Sequence, residues 1–145
     1  MSLKKRFEFL EHTADVYVVA RGRTLEEAFE NAALATFEVM TDTAKVEPKV
    51  EDEIDVEGHD EQALLYNWLE ALIVKFEVTE HLYSRFMIFP VKKDLDSFNM
   101  KAKIWGEPFS PSKHPQKIGV KAITYHQMEI LKKPKDVTVK FILDI

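Results

Sequence analysis

The sequence contains no cysteine, only four glycines and no long apolar run, and each shortage excludes a class of protein. Without cysteine, the chain cannot form disulfides, zinc–thiolate sites, iron–sulfur clusters or a thiol nucleophile. The glycines are scattered, so there is no glycine-rich loop for binding a phosphate. The apolar runs are far shorter than the roughly 18 residues of a membrane span. We therefore expect a protein without membrane contact that works in the cytoplasm, where thiols stay reduced.

Recognisable catalytic motifs are also absent. The five histidines are dispersed, and no predicted helix carries two of them four residues apart, as a zinc-binding helix would. No serine is placed on a strand-to-helix turn as a hydrolase nucleophile would be. The aromatic residues do not alternate with basic ones as a base-stacking surface requires. The residues therefore give no indication of an autonomous enzyme.

Charge is spread unequally along the 145 residues, whose net charge is −5. Residues 1–100 contain 11 basic and 21 acidic side chains, whereas residues 101–145 contain nine lysines and four acidic residues. The overall negative charge disfavours bulk nucleic-acid binding. A two-signed surface of this kind can orient a partner, although an uneven spread on a small protein needs no function to explain it.

Hydrophobic periodicity predicts one α+β domain over residues 1–145, a two-layer sandwich of about seven mostly antiparallel strands with two helices packed on the sheet. The first helix begins after Thr24, with Glu27 completing a capping box, and the second runs from Asp60 to about Val78. A proline-containing loop is predicted at Glu107–Lys117. The predicted strands are Lys4–Leu10, Val16–Arg21, Val50–Glu57, Leu82–Val91, Phe98–Trp105, Val120–Leu131 and Val137–Ile145.

Two elements of this pattern carry more specific predictions. Val50–Glu57 lies in an acidic stretch with Ile54 and Val56 alternating inside it, which is typical of an edge strand with a charged outer face. Trp68 lies within the apolar stripe of the second helix, so we expect it in the core rather than in a ligand site.

A polar cluster, Glu11–Asp15, separates the first two predicted strands. Its side chains offer several oxygen and nitrogen ligands at one end of a sheet, where a cation would bind. The same residue types are common in turns, where Thr13 and Asp15 would only hydrogen-bond to the backbone. Local sequence alone leaves both interpretations open and favours the turn.

The last predicted strand supplies a second candidate site. Apolar and polar residues alternate along Val137–Ile145, which predicts a buried Ile145 side chain and a terminal carboxylate held beside Asp144. With a third carboxylate from Asp15, these groups would repel one another unless a cation neutralised them. Oxygen-only ligands suit Mg²⁺ or Ca²⁺. The alternative is a solvated chain end without a metal, because nothing in the sequence proves that Asp15 and Asp144 meet.

Three short motifs follow one another in the chain: EHTADV at residues 11–16, KAITYH at residues 121–126, and the terminal Asp144–Ile145. Each motif alone would be weak, but the three in this order resemble the archease family. The resemblance extends over essentially the whole chain.

This resemblance implies a function. Archeases act on the RtcB-type tRNA-splicing ligase, which joins RNA ends through a guanylylated histidine formed from GTP with a divalent metal. They promote guanylylation, restore multiple turnover and can broaden the ligase's use of nucleotides. By resemblance, the protein is an accessory activator rather than an enzyme, and it meets tRNA only through the ligase.

The resemblance also implies site residues. The family's divalent-metal site corresponds to Asp15, Asp144 and the terminal carboxylate of Ile145, with calcium as the expected metal and magnesium or manganese as substitutes. Four further residues match family positions and are expected near the partner or its nucleotide: His12, Lys113, His114 and Lys121.

Two other functions stay open at this point. An RNA-binding chaperone for a tRNA-processing or tRNA-modifying enzyme would bind RNA by itself, with an affinity that falls as salt rises. A metal-dependent hydrolase using the carboxylates would turn over a nucleotide without any ligase. The activator is favoured because no nucleophile, base or substrate pocket can be named.

Overall fold

The computed structural model describes residues 6–10 and 15–145. The helices are α1 (Leu25–Met40) and α2 (Glu61–Thr79), with a short 3-10 helix at Thr43–Lys45. The strands are β1 (Phe7–Leu10), β2 (Asp15–Gly22), β3 (Val50–Gly58), β4 (His81–Ile88), β5 (Lys92–Lys93), β6 (Phe98–Pro108), β7 (Ala122–Lys133) and β8 (Asp136–Asp144). The predicted start of the first strand at Lys4 lies outside the described residues.

The strands form two sheets in which every described pairing is antiparallel. The first sheet has the order β1-β2-β8-β7, and the second has the order β3-β6-β4 with β5 also paired to β6. The predicted α+β class with two helices is confirmed. The strand count is higher than about seven because β5 has only two residues, too few for periodicity to detect.

Both helices begin where the sequence predicts. The Thr24 hydroxyl accepts a hydrogen bond from the Glu27 amide at 3.1 Å, and the Asp60 carboxylate accepts one from the Ala63 amide at 2.7 Å. These side chains satisfy amides that have no partner within the helix. At the end of α2, Glu80 takes a left-handed conformation with a φ of 58°, which turns the chain into β4.

The helices bury a shared core against the sheets. Phe37 of α1 stacks on Phe86 with ring centroids 5.9 Å apart and meets Tyr83 edge-on at 5.6 Å. Trp68 of α2 has no exposed surface, and its indole N–H donates to the carbonyl of Phe29 in α1 at 3.0 Å. The expected core position of Trp68 is confirmed, and its hydrogen bond ties the two helices together.

Strand β3 forms an edge of the second sheet, as predicted. Its outward-facing acidic residues are Glu51, Glu53, Asp55 and Glu57. Strand β6 continues to Pro108, so the predicted loop begins later than expected and Glu107 pairs with Leu82 in the sheet. The pattern ended this strand too early because a glycine and a proline flank Glu107.

Strand β7 is not the uninterrupted strand that the sequence suggests. Thr124 lies opposite Ile142 and Glu129 lies opposite Lys140, which leaves Tyr125–Met128 opposite Phe141 alone. The strand is therefore strongly bulged in its middle, and its pairing with β8 resumes beyond the bulge.

Within the described part of the chain, neither α1 nor α2 is long and apolar enough to cross a membrane.

Replacing Phe37 with alanine tests the shared core. We expect the free energy of unfolding to fall by about 3–5 kcal/mol, because the substitution removes a fully buried ring and leaves a cavity. Urea denaturation followed by tryptophan fluorescence measures this loss. Leu95→Ala is the control, since that side chain is fully exposed and should change stability by less than about 0.5 kcal/mol. Similar losses in the two variants would contradict the shared core.

Candidate metal site and its surroundings

The pairing of β2 with β8 brings two of the predicted ligands together. Asp15 and Asp144 are direct partners in this antiparallel ladder. Directly opposed residues point to the same face of a sheet, with Cβ atoms about 4.5–5.5 Å apart, and like charges in that position repel. No ion pair joins either carboxylate to a lysine or arginine among the described residues. Among the described residues, the end of the first sheet therefore has two neighbouring carboxylates that no ion pair neutralises.

Ile145 follows β8 immediately, and its half-buried side chain packs against the core. The alternation along the last strand predicted a buried Ile145 side chain; Leu143 is fully buried, whereas Ile145 at the end of the strand is only half-buried. Packing of the Ile145 side chain fixes the main chain at this position next to Asp144.

Lys121 lies at the same end of the sheet. Its backbone N–H donates to the carbonyl of Asp144 at 2.8 Å, and the next residue, Ala122, pairs with Asp144 in the ladder. The Lys121 side chain is exposed. The structure thus brings Asp15, Asp144 and Lys121 together, while His12 lies outside the described residues.

The oxygen donors here fit a hard divalent cation. Across residues 6–10 and 15–145, no cluster of three or more His, Cys, Asp or Glu side chains has metal-binding geometry. Calcium takes six to eight oxygen ligands, so Asp15 and Asp144 alone are too few. Main-chain oxygens, the predicted carboxylate at Ile145 and water must complete any coordination shell.

His114 and Lys113 belong to a second group, centred on Glu107. The Ser110 backbone N–H donates to Nδ1 of His114 at 2.9 Å, so that nitrogen carries no proton. The neutral ring therefore has its proton on Nε2, which donates to the Glu107 carboxylate at 2.9 Å. His114 is 1% exposed, and its ring holds the loop after β6 against the end of the second sheet.

Glu107 is a buried carboxylate that stays ionised. Burial alone would raise its pKa, but hydrogen bonds from the Glu47 amide, Lys113 and His114 lower it to about 2. The Glu47 amide donates at 2.8 Å and the Lys113 ammonium at 3.0 Å. Lys113 also contacts the Glu47 carboxylate, and these two acids raise the pKa of Lys113. The charge of Lys113 is therefore balanced inside the protein by two carboxylates.

Sequence reasoning missed Glu47 and Glu107 as members of this group. The alternation of β6 gave no signal for Glu107, because it follows Gly106 on the register of the exposed and half-buried Lys101 and Lys103. The expected proximity of Lys113 and His114 to a partner stays a prediction. Since the His114 ring is buried, Lys113 is the member of this pair that reaches the surface.

Comparisons with known proteins agree with this fold and with the three motifs. A profile of the Archease protein family matches residues 7–145. The chain is 48% identical over 141 residues to protein archease of Sulfurisphaera tokodaii and 49% identical over 140 residues to protein archease of Sulfolobus acidocaldarius. Each comparison covers 97% of this chain and 99% of the relative. The protein therefore belongs to the archease family, and the family predicted from the motifs is confirmed.

Solved structures support the same conclusion. The solution structure of protein 1598 from Methanobacterium thermoautotrophicum matches with a TM-score of 0.85 and 38% identity, covering 97% of this chain and 99% of that one. A crystal structure from Thermotoga maritima, described as an archease and possible chaperone, matches with a TM-score of 0.59 and 16% identity. That second match covers 100% of this chain and 99% of the other, and shows a shared fold.

The lowered pKa of Glu107 predicts a specific loss of stability in acid. Folding lowers this pKa from 4.5 to about 2, so its stabilisation is fully present above pH 4.5 and is lost as the pH falls toward 2. We expect Glu107→Gln to reduce the free energy of unfolding at neutral pH and to flatten its decline between these pH values. Urea denaturation at a series of pH values measures both effects. Parallel curves for variant and wild type would refute the assignment.

Proposed function

We propose that this protein is an accessory activator of an RtcB-type tRNA-splicing ligase, and that it presents a divalent cation to that partner. Asp15, Asp144 and the terminal carboxylate of Ile145 would hold the cation, with calcium as the first choice. The observation that carries this proposal is the direct opposition of Asp15 and Asp144 at the end of the first sheet. Membership of the archease family supports the choice of partner.

The residues at this end of the sheet suit such a role. A bound divalent cation would neutralise negative charge that accumulates on phosphate oxygens during nucleotidyl transfer. The β2–β8 ladder places Asp15 directly opposite Asp144, so folding of the sheet alone brings the two proposed ligands together. The exposed Lys121 adds a positive charge beside them, where it would face an anionic nucleotide or RNA end.

An accessory role agrees with the state of His114. Both of its ring nitrogens are engaged inside the fold, one with the Ser110 amide and one with Glu107, so neither is available as a nucleophile or a base. The description of the Thermotoga maritima relative as a possible chaperone is also compatible with action through a partner protein. A cytoplasmic location, where tRNA processing enzymes work, belongs to this proposal.

Calorimetric titration with Ca²⁺ tests the proposed ligands. Asp15→Asn and Asp144→Asn should each weaken binding by at least about tenfold, because changes even outside the first coordination shell cost 10–100-fold. Both variants should stay folded, since each removes one of two repelling charges. Asp96→Asn, at an exposed position before β6, is the matched control and should bind Ca²⁺ like the wild type. Unchanged affinity in both site variants would eliminate the proposed site.

A chain extension tests the third ligand separately. Two glycines added after Ile145 turn its carboxylate into an amide and should weaken Ca²⁺ binding. The same two glycines placed before Met1 should have no effect. Equal affinities of the two extended forms would remove Ile145 from the ligand set and leave the aspartates in it.

A ligase assay tests the partner. Substoichiometric amounts of this protein should let an RtcB-type ligase complete many turnovers with GTP, while Asp15→Asn and Asp144→Asn should not. The measurements are the rate of ligase guanylylation and the number of RNA molecules joined per ligase. An unaffected ligase together with salt-sensitive tRNA binding by this protein would favour an RNA chaperone instead. Nucleotide turnover without any ligase would favour a hydrolase.

A further inference from the structure

An exposed aromatic pair lies where α2 covers β7. Tyr125 of β7 stacks on Tyr66 of α2 with ring centroids 4.2 Å apart and ring planes only 3° from parallel. Tyr66 is half-buried, whereas Tyr125 is 51% exposed. Tyr66 covers one face of the Tyr125 ring, while about half of the Tyr125 residue surface stays open to solvent. The pair thus presents a flat aromatic surface to solvent.

A bulge in β7 begins at this aromatic pair. Tyr125 is the first residue of the segment that has only Phe141 opposite it, and Met128 at the end of that segment is buried. Gln127 between them has a φ of 57°, a left-handed conformation that costs a non-glycine residue about 1–2 kcal/mol. Such strain persists only where surrounding contacts enforce it, and it is enriched at functional positions.

An apolar and acidic stripe continues from this pair along α2. Its members are spaced four residues apart, so each side chain lies beside the next along an oblique row on the helix surface: Tyr66, Glu70, Val74 and Val78. Val74 is 48% exposed and Val78 is 76% exposed. We call these four residues with Tyr125 the α2 ridge. Exposed apolar side chains grouped in this way mark interaction surfaces.

The electrostatic surroundings of the ridge are negative. Partial burial raises the pKa of Tyr125, and the charges of Asp60 and Glu70 raise it further, so both carboxylates act on its hydroxyl. Lys132, which also contacts α2, forms an ion pair with Glu61 at 2.7 Å, so its charge is already balanced. Along α2 itself there are three glutamates and a single lysine, Lys75.

We propose that the α2 ridge binds a basic protein surface, with an arginine side chain of that protein stacked on Tyr125 and paired with Glu70. A guanidinium group stacks on an aromatic face while its N–H groups donate to carboxylates, which is the combination present here. Val74 and Val78 would pack against apolar residues around that arginine. RNA is disfavoured as the occupant because its phosphates would face Asp60 and Glu70.

The ridge is distinct from the candidate metal site. Asp144 pairs with Ala122, whereas Tyr125 lies beyond the point at which the β7–β8 pairing breaks. The inference therefore does not rest on the proposed ligase partner. Calcium titration of Tyr125→Ala should match the wild type, so failure of one proposal is distinguishable from failure of the other.

NMR titration with a blocked Gly-Arg-Gly peptide tests the proposal, with Gly-Gln-Gly as the uncharged control. The Arg peptide should shift the ring resonances of Tyr66 and Tyr125, and the Gln peptide should not. Tyr125→Ala should abolish these shifts, whereas Tyr125→Phe should keep them because it retains the ring face.

Removing the acidic charges provides a second test of the proposed binding surface. The double variant Asp60→Asn with Glu70→Gln should weaken binding about three- to tenfold and reduce its dependence on salt. Asparagine at position 60 keeps the side-chain oxygen that caps α2, so the helix should remain intact. Three results would each overturn the proposal. The first is equal shifts with the two peptides, and the second is equal binding by Tyr125→Ala and the wild type. The third is preferential binding of a single-stranded RNA oligonucleotide at the ridge.

Discussion

The antiparallel pairing of β2 with β8 is the constraint on which the rest of the structure depends. It joins segments at opposite ends of the chain, from Asp15 opposite Asp144 to Gly22 opposite Val137, in the middle of the first sheet. A slip of one residue would turn every side chain of a strand to the other face. Such a slip would expose Phe141, which is fully buried, and separate the two aspartates. Core packing therefore maintains the geometry of the candidate metal site, and the site needs no dedicated scaffold of its own.

In the second sheet, a buried carboxylate has a comparable organising role. Glu107 at the end of β6 collects the Glu47 amide, Lys113 and His114 around one carboxylate. These groups come from three segments, the end of β6, the chain before β3 and the loop after β6, so the carboxylate fixes that long loop without a helix or strand there. A lysine next to a histidine is a combination that suggests a catalytic site. Here Lys113 and His114 instead donate hydrogen bonds to the buried carboxylate of Glu107. The chemistry proposed for this protein lies with the carboxylates of the first sheet instead.

The lysine-rich part of the chain is less basic than its composition suggests. Several of its lysines form ion pairs with glutamates from other segments: Lys113 with Glu47 and Glu107, Lys117 with Glu38, Lys132 with Glu61, and Lys140 with Glu129. Among the candidate site residues, Lys121 differs from Lys113, because its side chain is exposed beside Asp144. The α2 ridge, with its acidic surroundings, is separate from the position of Lys121. The sequence predicted a surface with a basic and an acidic part. Because many of the lysines are paired, the basic part is smaller than the number of lysines suggests.

Local sequence determined the parts of this protein that depend on neighbouring residues. Caps at Thr24 and Asp60 with 3.6-residue periodicity defined both helices, alternation defined β8, and three motifs identified the family. Tertiary structure alone decided the opposition of Asp15 and Asp144, the burial of Glu107 and the outward stacking of Tyr125 on Tyr66. Each of these depends on contacts between segments far apart in the chain. A periodic pattern records which face of an element is apolar, but it carries no information about which distant element that face will meet.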